Sequence, residues 1–147
     1  MKQQKIERFR GQYRFLSNFY PCYVRVGKYT YPSAEHAFQA MKTLDEKERK
    51  RIRHAPTPQE AKRLGRRVKL REDWEQRKVR TMTGVVYRKF LSDVNLKRAL
   101  LLTGDAELIE GNTWMDTFWG VDLRTGKGQN YLGRILMAVR RKLRAEQ

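Results

Sequence analysis

From residue 33 onward the chain is cut by helix start signals, and these confine most of it to short helices. Ser33 can cap a helix over Ala34 to Met41, in which Ala34, Ala37, Phe38 and Met41 keep helical spacing. Asp45 with Glu48, and Thr57-Pro58 with Glu60, each fit a capping box, and Gly65 is placed to stop the second helix. A longer helix is expected from near Asp73 to about Phe90, burying Val79, Met82, Val86 and Phe90. Another runs from about Asp93 to Leu102 and stops at Thr103-Gly104. From Asn130, read as a cap, Leu132, Ile135, Leu136, Val139 and Leu143 form one helical stripe, and Arg140, Arg141, Lys142 and Arg144 complement the negative helix end.

Two stretches escape this pattern. Residues 23–31 alternate β-branched and aromatic residues around Gly27-Lys28, which predicts a hairpin with a type II′ turn, ended by Pro32. Residues 104–133 hold six glycines and no sustained period, and read as ordered loop. With no internal repeat and no linker, the expectation is an α+β fold: a mainly helical single domain over residues 1–147 with a small N-terminal antiparallel sheet.

Several function classes drop out. No run approaches the roughly 18 to 20 apolar residues that cross a bilayer, and Met1-Lys2-Gln3-Gln4-Lys5 leads into no apolar signal core, so no membrane partner and a cytoplasmic location are expected. Cys22 is the sole cysteine and His36 and His54 the only histidines, so neither an internal disulfide nor a metal or other cofactor is expected. The formal charge is +17, and residues 41–100 carry 19 of the 33 basic residues against 8 of the 16 acids. Such a block attracts nucleic acid, nucleotide phosphates or phosphosugars. Interleaved runs such as Glu48-Arg49-Lys50-Arg51 equally make solvated helix faces.

Three constellations have the residue types for chemistry. Glu35, Gln39 and Lys42 recur at i, i+4 and i+7, placing a carboxylate, an amide and an amine on one helical stripe that either lines a cleft or is an exposed polar face. Nearby, Ser17-Asn18 lies among Phe15, Phe19 and Tyr20, where it can hydrogen-bond a sugar or base or simply make a turn. His36 points off the stripe and reads as a packed histidine. In the second, Glu110 and Asp116 alternate with Trp114, Phe118 and Trp119, a pattern that suits a carboxylate of raised pKa and a stacked base, or a loop whose tryptophans fill the core while Asp116 caps a turn. The third, Gly126 to Gly133, feeds a helix N-terminus whose amides can bind phosphate, although neither dinucleotide nor P-loop spacing is present.

Taken in order, Phe15-Leu16-Ser17-Asn18-Phe19, Pro32 to Ala40 with Lys42, Gly65-Arg66, Asp73-Trp74, Lys89-Phe90, Thr103-Gly104-Asp105 with Leu108-Ile109-Glu110, Asp116 with Phe118-Trp119-Gly120, and Gly126, Gly128, Asn130, Leu132-Gly133 and Leu136-Met137 resemble the NADAR (YbiA-like) family across nearly the whole chain. The resemblance implies an N-glycosidase. It also implies two substrate types: phosphoribosylaminopyrimidine intermediates of riboflavin biosynthesis, and ADP-ribose attached to guanine in DNA or RNA. By the same resemblance Glu35, Lys42, Asp116 and Glu110 are the catalytic candidates. Ser17, Asn18, Phe19, Gln39, Arg66, Lys69, Trp74, Trp119, Gly120 and Asn130 are the substrate-binding ones, with Arg66 and Lys69 expected on phosphate.

Both substrates join ribose C1 to an exocyclic amine. Two mechanisms fit: a Schiff base between Lys42 and C1, with Glu35 moving protons, or a carboxylate-activated water attacking an oxocarbenium-like C1. The alternative from another class is a non-catalytic module that binds ADP-ribose or nucleic acid.

Overall fold

The computed structural model describes residues 4–147. The elements run β1 (Lys5–Ile6), a 3-10 turn (Gly11–Leu16), β2 (Pro21–Val26), β3 (Tyr29–Ser33), α1 (Ala34–Ala40), α2 (Glu46–Arg53), α3 (Pro58–Gly65), α4 (Trp74–Leu91), α5 (Val94–Leu102), β4 (Glu107–Leu108), β5 (Gly111–Asn112), β6 (Val121–Asp122) and α6 (Tyr131–Ala145). Helices dominate and the sheets are small, as the α+β expectation has it. The chain divides into two compact units, Asn18–Asp93 and the segments flanking it. Among the described residues no helix is long and apolar enough to cross a membrane.

In Asn18–Asp93, β2 and β3 form the expected antiparallel hairpin, with Val24 opposite Tyr31 and Val26 opposite Tyr29. Gly27 has φ +62 while Lys28 stays out of the left-handed region, the pattern that a type II′ turn requires. Pro32 does not end the strand. It lies inside β3, where the register shifts between Pro21 and Val24, so its missing N–H costs no regular ladder bond.

Helix α1 is the centre of this unit, and all seven of its residues are buried. Ser33 starts it as expected by accepting the His36 N–H. Ala34, Ala37 and Ala40 share a core with Val24, Tyr31, Ile52, Ala61 and Val85, and their small size lets the neighbouring elements close over the helix. Asp45 and Thr57 cap α2 and α3. The reciprocal half of each capping box is absent, because Glu48 pairs with Arg51 and Glu60 with Arg63 instead. Gly65 does close α3, but for space rather than for a left-handed turn: a Cβ there would collide with the Gln39 side-chain amide. In α4 Met82, Val85, Val86 and Phe90 are buried, whereas Val79 is only half-buried.

In the flanking unit, the 104–133 stretch read as ordered loop contributes β4, which pairs in parallel with β1, and β5 with β6, also parallel, each strand two residues long. Strands this short carry no readable period. Helix α6 buries its whole expected stripe, Leu132, Ile135, Leu136, Val139 and Leu143. Asn130 does not cap it through its side chain. With φ +53, it accepts the Glu110 N–H at 2.9 Å and donates to the Leu108 carbonyl at 3.0 Å, and Gly133 permits this approach because a Cβ would strike that carbonyl.

Candidate active site

Glu35 and Gln39 are only 8% and 5% exposed, so the α1 stripe is not the solvated face that its polarity allowed. Gln39 Nε2 donates to Glu35 Oε2 at 3.1 Å, while Gln39 Oε1 is buried with no partner among the described residues. That oxygen lies against Gly65, where a Cβ would strike it, so it is closed in by packing, and the polar face left to the site is the Glu35 carboxylate that Gln39 holds. Next to it, Asn18 is buried; its carbonyl accepts the Glu35 N–H at 3.0 Å and its Nδ2 donates to Met82 Sδ at 3.4 Å.

Lys42 follows at the end of α1, half-buried, its carbonyl tied by the Arg71 N–H at 2.8 Å. Burial pushes the Lys42 amine below its ordinary value, and the cations of Arg66, Lys62 and Lys78 push the same way, against the opposing pull of Glu35. Its Nζ stands 6.0 Å from the Phe38 ring centroid, and Phe38 packs on Trp74 with centroids 5.2 Å apart. Trp74, expected to meet substrate, is 5% exposed, so its placement is that of a prop behind Phe38. His36 is the packed residue it was read to be. Its Nε2 donates to the Ala55 carbonyl at 3.0 Å, Nδ1 accepts from the Ser33 hydroxyl at 2.7 Å, and burial pushes its pKa down.

The acid-aromatic segment belongs to the other unit, and there the Asn112 and Asp116 side chains serve the backbone. Asp116 Oδ1 accepts the N–H groups of Phe118 at 3.1 Å and Trp119 at 3.0 Å, the turn half of the sequence's second alternative, while Trp114 is 58% exposed and does not fill the core as that alternative had it. Asn112, 2% exposed, brackets Asp116 by donating to its carbonyl at 2.9 Å and accepting its N–H at 3.0 Å. Trp119 stacks edge-on to Phe118 at 4.7 Å, and Tyr131 joins them. Gly120 is buried where a Cβ would strike the Glu110 carbonyl, and Glu110 is half-buried beside it.

The expectation that amides of the glycine-rich segment bind phosphate is not met. The N–H groups of Gln129, Asn130, Tyr131 and Leu132 donate to the carbonyls of Thr117, Gly120, Phe118 and Trp119. The first two helical N–H groups, those of Tyr131 and Leu132, are thereby engaged by the loop.

The structure thus brings Glu35, Gln39, Lys42 and Arg66 together, with Asn18 at the Glu35 end. Ser17 and Phe19 are half-buried on either side of Asn18 in the chain, and Lys69 is exposed. Lys62 and Lys78 were missed. A usable signal existed, since Lys62 precedes Arg66 by four residues on α3 and Lys78 follows Trp74 by four on α4.

Residues 6–144 match the model of the NADAR domain. The N-glycosidase YbiA of Escherichia coli is 42% identical over 137 residues, covering 92% of this chain and 84% of that protein. A riboflavin biosynthesis protein of Vibrio vulnificus is 43% identical over 131 residues; the match takes 88% of this chain but only 35% of that longer protein. The solution NMR structure of the Escherichia coli YbiA protein aligns with 99% of this chain and 89% of its own, at 38% identity and a TM-score of 0.86. This chain therefore belongs to the NADAR family, and it is an N-glycosidase.

Proposed function

We propose that the bond cleaved joins ribose C1 to an exocyclic amine of a phosphorylated, nucleotide-like substrate, and that Lys42 and Glu35 carry the reaction. The observation that carries this reading is the buried Glu35–Gln39 pair set on one stripe with an amine whose proton is loosened by burial and by three neighbouring cations. A glycosylamine opens its ring to an imine at C1. The neutral Lys42 amine adds to that carbon, the C1–N bond to the base breaks, and the base leaves as its amine after taking a proton. Water then adds to the Lys42–C1 imine, releasing the sugar aldehyde and restoring the lysine. In this reading Glu35 supplies the first proton and accepts one from the water, with Gln39 Nε2 holding its carboxylate. Arg66 and Lys62 supply positive charge for the substrate's phosphate, while Lys78 is paired with Glu75 at 2.8 Å. The family match passes through both units, which supports their acting as one domain.

The basic block favours a small phosphorylated substrate over a strand laid along α2. Arg49 donates to the Thr43 carbonyl at 2.8 Å and pairs with Glu46, Arg51 pairs with Glu48, and Arg53 lies 3.9 Å over the Tyr29 ring. Arg49 and Arg53 are thereby tied to the fold, whereas Arg51 is in a surface pair of little strength and Lys50 is exposed.

The mechanism is tested by adding borohydride during turnover of a ribosyl–amine substrate. Reduction of the imine should leave a ribosyl adduct on Lys42, located by peptide mass spectrometry. Consumption of substrate with no adduct on the protein transfers the reaction to a carboxylate-activated water.

A further inference from the structure

The face of the flanking unit where α6 passes the end of α5 carries an arginine cluster that the glycosidase reaction does not use. Arg140 is 6% exposed, and its one hydrogen bond among the described residues runs from Nη1 to Thr103 Oγ1 at 2.8 Å. That hydroxyl is neutral and itself donates to the Leu100 carbonyl at 2.6 Å. A guanidinium has five N–H donors and keeps its proton, and the Arg140 donors that Thr103 does not take are left to the cleft that Arg140 lines.

The adjacent acid does not answer that demand. Asp105 has a side chain 90% exposed and pairs with Arg144 at 3.2 Å, and Arg144 also donates to the Gly104 carbonyl at 2.7 Å. Asp105, Met137, Arg140, Arg141 and Arg144 line a cleft of about 230 Å³. Three arginines against one carboxylate leave two positive charges unmatched there, the charge of a phosphate monoester dianion. Burial and the charges of Arg144 and Arg141 all press on the protonated Arg140, with Asp105 opposing, and an anion in the cleft relieves that pressure.

We infer that this cleft is a second anion site, which takes one phosphate group between Arg140 and Arg141, with Arg144 held at its edge by Asp105. A free phosphate or phosphomonoester matches both charges, and one backbone phosphate of a nucleic-acid strand offers the same oxygens with a single negative charge.

The test follows the arginine Nε–H signals of the full-length protein by NMR, which separates this cleft from the cations around Lys42. Inorganic phosphate should shift the Arg140 and Arg141 signals saturably, beyond sodium chloride at equal ionic strength. Arg141 is exposed, so Arg141→Ala leaves the fold intact; it should weaken the Arg140 response about tenfold, the effect of one lost charge-assisted hydrogen bond. An unmodified single-stranded oligonucleotide that shifts the same signals and is displaced by phosphate identifies a strand as the source. An oligonucleotide that leaves them unmoved, where phosphate moves them, identifies a small phosphate compound. Signals that respond to phosphate no more than to chloride, or that Arg141→Ala leaves equally responsive, overturn the site and reduce Arg140 to a tie between α6 and Thr103.

Discussion

In α1 a carboxylate and an amide are buried together beside a destabilised ammonium, and the amide's carbonyl oxygen has no partner among the described residues. In the 110–120 segment the same kinds of side chain bond to the main chain, with Asn112 and Asp116 fixing one turn and Asn130 bridging Leu108 and Glu110. Both regions are polar groups embedded among aromatics. The difference lies in where the hydrogen bonds end. Groups bonded to backbone hold a shape and have little left for a ligand, whereas a buried carboxylate held by one side-chain amide beside a destabilised ammonium keeps capacity for proton transfer.

The largest expected effects therefore fall on the α1 stripe. Lys42→Ala and Glu35→Gln should each lower kcat by at least about 10²-fold, the scale of a lost nucleophile or acid–base group, while the fold survives. Turnover measured beside a thermal melt checks this. Near wild-type kcat in either variant would remove the contrast between the two regions.

How far this contrast was legible varied by residue. The start of α1 was readable because Ser33 is a cap with a local mechanism, and the hairpin because Gly27 serves the turn its position needs. The burial of Glu35 and Gln39 was not. Periodicity counts polar positions as a water-facing side, but here three alanines bring neighbouring elements in until the polar side is covered too. That closure depends on partners far along the chain, such as Gly65, whose missing Cβ makes room for Gln39. Asp116 could be read either way, since one carboxylate suits a turn or a reaction, and only its bonds to Phe118 and Trp119 decide its place. Asn130 misled because its left-handed backbone turns the side chain away from the helix it precedes.

Asp116 gives the next test, because charge and hydrogen bonding can be separated there. Asp116→Asn keeps an oxygen acceptor for the Phe118 and Trp119 N–H groups and should retain kcat within about twofold, whereas general acid–base work by Asp116 would show a loss of about 10² or more. Asp116→Ala removes the acceptor and should cost about 1–2 kcal/mol of stability, read from denaturant unfolding. If Asn lowers kcat as far as Ala, the loop belongs with α1 among the reacting groups.

The smallest effects sharpen the α1 side, by asking which cations tune Lys42. Its pKa is lowered by burial first and by Arg66, Lys62 and Lys78 after that, and the neutral amine is the nucleophile, so kcat should rise with pH through that lowered pKa. Removing a neighbouring positive charge makes protonation of Lys42 easier. Lys62→Ala should therefore raise the Lys42 pKa and move the rising limb to higher pH, and Lys62→Arg, which keeps the charge, should leave the limb in place. Lys69 shared with Arg66 the expectation of meeting phosphate, yet unlike Arg66 it is outside the set that acts on Lys42. Lys69→Ala should keep the pH profile unmoved and kcat/KM within about twofold, as solvent-screened surface charges do. A limb that moves with Lys69 but not with Lys62 would place the working cations on the segment after α3 rather than on α3 itself.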